Sequence, residues 1–200
     1  MPILQFHISL PESRPPIWRR IQLTDDYRLD RFHQVIQIAM GWENSHLHEF
    51  TFGQRRVGMV LEFDDGYPEP EDETKIYLRD LQLKPGGQLH YLYDFGDNWQ
   101  HLITLESITE GALELPRCTE GTGHCPVEDI GGIDGHMEAL EALADPDHPY
   151  RYHFWGDEPP EDFDPTFFPI EEVNAELAQF GNWHSKHPRA KSTPTPWHQI

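Results

Sequence analysis

The chain has little with which to staple or anchor itself. Only two of its 200 residues are cysteine, Cys118 and Cys125. One pair cannot build the disulfide scaffold of a small secreted domain, and a reducing cytosol keeps such a pair as thiols. Six residues separate the two, so the two-residue spacing of a zinc knuckle is missing as well. No apolar run approaches the ~20 residues of a membrane-spanning helix. The start, Met1-Pro2-Ile3-Leu4-Gln5-Phe6, lacks the basic region and apolar stretch of a secretory signal, and cytoplasmic residence is the expectation. Basic residues are scarce too: 15 Lys and Arg stand against 35 Asp and Glu, a formal charge of −20. Phosphate backbones are bound by neutralising them with Lys and Arg. That balance disfavours direct nucleic-acid binding and leaves a protein partner, of unknown identity, open. There is no glycine-rich phosphate loop, no nucleophile elbow and no zinc-protease motif.

What is present builds a core with many loops. Hydrophobic residues make up 37% of the chain and aromatics 12%, with 18 prolines and 15 glycines. This suits one domain over residues 1–180, followed by a His- and Pro-containing stretch, 181–200, without periodicity and read as a flexible tail. Ile3 to Leu10 alternates, with Leu4, Phe6, Ile8 and Leu10 on one face of a strand. Ile17 to Leu23 reads as its hairpin partner. Leu29 to Met40 is a helix whose stripe is Leu29, Phe32, Val35, Ile36, Ala39 and Met40, with Gly41 placed to end it. A strand follows near His46 to Phe52, then a turn and a return through Val57 to Phe63. Asp64 to Thr74 reads as an exposed acidic loop. Gln88 to Tyr93 and Trp99 to Ile108 form a second hairpin. Arg117 to Gly132 reads as irregular. Asp134 to Ala144 is a short helix with Met137, Leu140 and Leu143 inward. Asp164-Pro165 is a start signal for a last helix to about Phe180. The expected class is α+β: a β-hairpin–helix–sheet core, β-grasp-like, with C-terminal helices packed on it.

Two segments carry the candidate chemistry, His33 to Phe50 and Tyr93 to His101. Alternate strand residues share a face. His46 and His48 therefore extend the face of Phe50 and Phe52, and His101 lies on the row of Trp99, Ile103 and Leu105. Asp94 and Asp97 occupy the turn between the hairpin strands. Histidines and aspartates converging at a sheet end would suit zinc or another divalent ion. The bland alternative is a set of core histidines hydrogen-bonded to backbone or to the aspartates. Cys118, His124 and Cys125 form a second, weaker metal candidate, with His136 or Asp129 as a fourth ligand, or else an ordinary surface loop. Arg19 and Arg20 could contact an anion, or could face acidic neighbours.

Several strings recur together in the order known from one family: Pro16-Ile17-Trp18-Arg19-Arg20, His33 to Phe50, Tyr93 to His101, Pro116-Arg117-Cys118, Cys125-Pro126-Val127-Glu128-Asp129 and Phe163-Asp164-Pro165. The chain resembles the plasmid pRiA4b open-reading-frame-3-like family, sometimes labelled as insertion-element passenger proteins, over roughly residues 3 to 178. The resemblance implies an α+β domain and supplies no established activity. Family members often carry a further cysteine where this chain has Ile130, which counts against a structural cysteine–metal site here. The functional expectation is an uncharacterised cytosolic protein of that family, a binding or accessory module more than an enzyme. The alternative is a metal-dependent, hydrolase-type enzyme using His46, His48, Asp97 and His101. A third reading is an accessory of mobile DNA that contacts other proteins.

Overall fold

Eight strands form one sheet, and the hairpins of the sequence are its scaffold. The computed structural model describes residues 1–60, 68–155 and 163–186. The strands are β1 (Pro2–Leu10), β2 (Ile17–Thr24), β3 (His48–Phe52), β4 (Arg55–Gly58), β5 (Glu71–Asp72), β6 (Gln88–Tyr93), β7 (Trp99–Glu110) and β8 (Arg117–Thr122). Their order across the sheet is β5-β4-β3-β6-β7-β1-β2-β8. Every neighbouring pair is antiparallel except β4 with β5. The helices are α1 (Leu29–Met40), α2 (Gly132–Ala144), α3 (Arg151–Trp155) and α4 (Ile170–Lys186).

One face of the sheet carries the core. Leu4, Phe6, Ile8, Ile17, Ile21, Phe50, Leu89, Tyr91, Ile103 and Leu105 point into it, together with Phe32, Val35 and Ile36 of α1. Phe32 stacks between Phe6 and Phe50, with ring centroids 5.1 and 5.9 Å away. Burying such a side chain stabilises the fold by roughly 1.5–3 kcal/mol. Helix α4 packs on β8 and α1, with Val173, Leu177 and Phe180 inward. The opposite face carries half-buried Gln5, His7, Trp18, Arg20 and Glu106, as an antiparallel sheet with one solvated side does.

The architecture is α+β, with the helix Leu29–Met40 and both hairpins where the sequence places them. Four details differ. Residues 61–67 of the expected acidic loop and return strand lie outside the described residues. Beyond them the chain forms β5 and a 3-10 turn, and Glu73 is buried at 3% exposure because His48 receives its carboxylate. Arg117–Thr122 is a strand, an edge strand whose exposed outer residues hide the alternation. In α2 the inward residues are His136, Ala139 and Ala142, one position off the expected Met137-Leu140-Leu143 row. Asp164 starts a turn instead of the last helix: its carboxylate accepts from the backbone N–H and hydroxyl of Thr166. That helix begins at Ile170 and runs on to Lys186, and the rest of the expected tail, 187–200, lies outside the described residues.

Candidate functional site

Three segments meet at one end of the sheet. The first leaves α1. Gly41 ends that helix at φ 100°, and a side chain there would come within 3.1 Å of Cys125 Cβ. The helix terminus and the 125–129 loop therefore touch. Trp42 then packs beside Tyr93 and Trp99 with centroids 5.4 and 5.0 Å away. Ser45 donates its backbone N–H to Tyr93 Oη at 2.9 Å, which carries His46 to the rim. The second segment is the β6–β7 turn. Asp94 N–H donates to the Leu47 carbonyl at 2.9 Å, and the Asp94 carboxylate accepts from Gly96 N–H at 2.8 Å. The third is the loop after Cys125. Glu128 Oε1 accepts from Glu43 N–H at 2.7 Å and from Tyr93 O–H at 3.0 Å. Asn44, Asp94 and Asp129 all adopt left-handed backbone, at φ 55–57°, a conformation Asn and Asp tolerate better than most residues.

These contacts gather one imidazole and three carboxylates. His46 Nε2 lies 3.3 Å from Asp129 Oδ1, 3.5 Å from Glu128 Oε2 and 3.7 Å from Asp94 Oδ2. His46 Nε2 and Glu128 Oε2 are both buried and make no hydrogen bond. One ligand atom each from His46, Asp94 and Asp129 lies within 4.8 Å of the others. Burial raises the Glu128 carboxyl above the usual range. Like charges so close repel, and a bound cation would relieve both the repulsion and the orphaned atoms. With metal–ligand bonds of about 2.0–2.2 Å, the ligand-to-ligand edges of a tetrahedral shell are about 3.3–3.6 Å. The three His46 distances match that scale. A nitrogen-plus-oxygen set suits zinc, manganese or iron.

Of the residues singled out in the sequence, His46 and Asp94 join this cluster, with Asp129. His48, Asp97 and His101 lie elsewhere. His48 Nε2 meets Glu73 at 2.7 Å, and its ring stacks on His33 at 3.4 Å. His33 in turn touches Tyr91 Oη and Asn44 Oδ1, both at 2.7 Å. Burial drives His33 and His48 down and Glu73 up, to about 7. His101 is wholly buried. Its Nδ1 faces the carbonyl of Trp99 at 2.9 Å, and its Nε2 accepts from Trp42 Nε1 at 3.2 Å. Burial lowers it to about 4, so it is a neutral core imidazole. Asp97 accepts from Gly131 N–H at 3.0 Å.

Cys118, His124 and Cys125 do not share a ligand geometry; among the described residues the His46 group is the one that does. Cys118 Sγ donates to the Glu120 carbonyl, and His124 Nδ1 meets the Cys125 carbonyl. Burial raises both thiols. Arg19 is 1% exposed and ties elements together. It donates to the carbonyls of Ala39 at 2.7 Å, Thr122 at 2.6 Å and Gly123 at 2.9 Å, under the ring of Phe168. Arg20 is engaged by Glu106 at 2.7 Å and by Glu120. Both guanidinium groups therefore have partners within the chain. Glu128 escaped the sequence reading of the site. Its signal is the string Cys125-Pro126-Val127-Glu128-Asp129, whose Glu128 lies 82 residues beyond His46 and meets it only in the fold.

The comparisons agree with the resemblance. The family model described as "Plasmid pRiA4b ORF-3-like protein" matches residues 2–172. The chain belongs to this family. An uncharacterised protein, y4hQ, of Sinorhizobium fredii is 40% identical over 148 residues, spanning 73% of this chain and 75% of that protein. The crystal structure of MM3350 from Methanosarcina mazei Go1, a protein of unknown function, superposes with a TM-score of 0.71 at 35% identity. It covers 86% of this chain and 97% of that one. Neither of these two similar proteins carries a stated activity.

Proposed function

We propose that this pRiA4b ORF-3-like protein is a cytoplasmic binding module whose ligand is a divalent transition-metal ion, held by His46, Asp94 and Asp129 with Glu128 beside them. The observation that carries the reading is the orphaned, buried His46 Nε2 set 3.3–3.7 Å from three carboxylate oxygens. A hydrogen-bonded structural histidine does not look like this. His101, with a partner at each ring nitrogen, is the contrast within the same chain. His46 would bind as neutral imidazole, and Asp94 and Asp129 as carboxylates. Glu128, fixed through one oxygen by Glu43 and Tyr93, offers its other oxygen as a further ligand or as a partner for metal-bound water. No helix among the described residues is long and apolar enough to cross a membrane, which is consistent with a cytoplasmic module. The role is accessory: binding of the ion, or of a protein partner through it.

Elemental analysis of protein purified without an affinity tag tests this reading. About one equivalent of zinc, manganese or iron is expected, with a rise in melting temperature when the ion is restored to stripped protein. Less than a tenth of an equivalent and no thermal response would contradict the reading and leave His46 an imidazole packed among carboxylates without a ligand.

A further inference from the structure

The loop between α1 and β3, residues 41–47, carries His46 to the ion site, and one of its ties runs into the core. Asn44 Oδ1 lies 2.7 Å from Nε2 of His33, a residue of α1 that is 2% exposed. An amide oxygen only accepts, so His33 Nε2 carries the hydrogen and Nδ1 is the acceptor. Tyr91 O–H donates to that Nδ1 at 2.7 Å, and Tyr91 Oη accepts from Gln37 Nε2 at 2.8 Å. The bonds thus run in one direction, from Gln37 through Tyr91 and His33 to Asn44. The ring plane is fixed as well. His48 stacks on His33 with centroids 3.4 Å apart and planes 3° from parallel, and Glu73 holds His48 at 2.7 Å.

Such a series of bonds is costly in a core. His33, Gln37 and Tyr91 are each at most 2% exposed, beside Phe32, Val35 and Ile36, which already pack the helix on the sheet. Apolar side chains of the same volume would need no partners there. What the polar series supplies is reach. Asn44 is held at φ 57°, and the residues on either side of it donate to the site. Glu43 N–H reaches Glu128 Oε1 at 2.7 Å, and Ser45 N–H reaches Tyr93 Oη, which itself donates to Glu128. Those bonds tie the loop to the site's own neighbourhood, whereas the Asn44 bond ties it to the interior of α1. Outer-shell partners of this kind orient metal ligands. We propose that His33 is a positioning residue for the ion site: through Asn44 it sets the backbone that carries His46, and with it the tightness of ion binding. The role rests on the ion proposed above, and none of Gln37, Tyr91, His33 and Asn44 is among its ligands.

Asn44→Gly tests this with the core intact, since glycine suits the left-handed backbone and removes the acceptor. Zinc titrated into stripped, tag-free, full-length protein should bind this variant and His33→Phe about 10–100-fold more weakly than the parent. The visible absorption of the cobalt(II)-loaded form should change in both. Asn44→Asp keeps an acceptor in place and tolerates the same backbone, so it should restore the parent spectrum. Leu105→Ala, a core substitution toward the other end of β7 from Trp99, is the control for lost stability. It should unfold at lower urea concentration with zinc affinity and cobalt spectrum unchanged. In the metal-free protein, amide hydrogen exchange at Glu43 and Ser45 should quicken in Asn44→Gly and His33→Phe beyond the rate in Leu105→Ala. Parent-like affinity and spectrum in Asn44→Gly and His33→Phe, an equal loss in Leu105→Ala, or unchanged exchange at Glu43 and Ser45 would each overturn the role of His33. A parent chain that takes up no zinc would remove the ion site and this role with it, a result distinct from zinc bound equally by parent and variants.

Discussion

At the scale of single residues, polar side chains buried in this protein divide by whether their hydrogen bonds are complete. Arg19 is complete, and it ties the end of α1 to the end of β8. Arg19→Ala would leave carbonyls at Ala39, Thr122 and Gly123 bare and should destabilise the fold by roughly 3–5 kcal/mol, read by urea unfolding. Arg19→Lys should recover little of this, because an ammonium group cannot span carbonyls on two elements. His101→Ala should cost roughly 2–4 kcal/mol through the cavity and the stranded Trp42 N–H, and should leave metal stoichiometry unchanged. Little of this division was legible in the sequence. Alternation sets Arg19 on the row of Ile17 and Ile21 in β2 and His101 on that of Trp99 and Ile103 in β7. Whether each meets carbonyls, an indole or a metal depends on neighbours 20 to 104 residues away along the chain.

At the scale of elements, the His33–His48–Glu73 network joins α1, β3 and the 3-10 turn after β5, and it makes stability depend on pH. The histidines are lowered by burial, so the unfolded chain binds more protons than the folded one below its ordinary value of 6.5. Their contribution is present above pH 6.5 and is lost as pH falls toward about 4, where His101 titrates. His101 alone contributes about 3 kcal/mol over that window. Glu73 works in the opposite sense. Its raised value, about 7, means the folded state holds the extra proton between 4.5 and 7, so its contribution fades as pH rises through 7. Chemical denaturation across pH 4 to 8 should show stability climbing from the acid side. Glu73→Gln should flatten the decline near pH 7, and an unchanged profile would contradict the network. Glycine carries a second constraint. Gly132 has φ 70°, and a Cβ there would lie 2.4 Å from the Asp97 carbonyl. Gly132→Ala should destabilise by more than about 1 kcal/mol in thermal or urea unfolding. Alternation revealed the two hairpins because their strands bury one face, and helical periodicity revealed α1 because its apolar residues fall on one stripe, although the helix is buried on nearly every side. The edge strand β8 and the inward row of α2 were hidden. Edge strands need no alternation, and small Ala139 and Ala142 face inward while the larger neighbours cover the sides.

At the scale of the whole molecule, the acidic surplus of −20 is spread over the chain, yet one part of it converges. Three loops separated by more than 30 residues each deliver a carboxylate or an imidazole to the same sheet end. The fold makes this possible by setting β3, β6 and β7 side by side and holding the 125–129 loop against Gly41. Three of the family strings, His33 to Phe50, Tyr93 to His101 and Cys125 to Asp129, run through those loops, which gives them a common spatial role that spacing along the chain could not display. Calorimetric titration of zinc into chelator-stripped, tag-free protein, beside His46→Gln and Asp94→Asn, tests the account most directly. One equivalent should bind the parent chain, and each variant should lose binding while keeping its fold by circular dichroism. Zinc binding that is absent from the parent, or that survives intact in both variants, would contradict it.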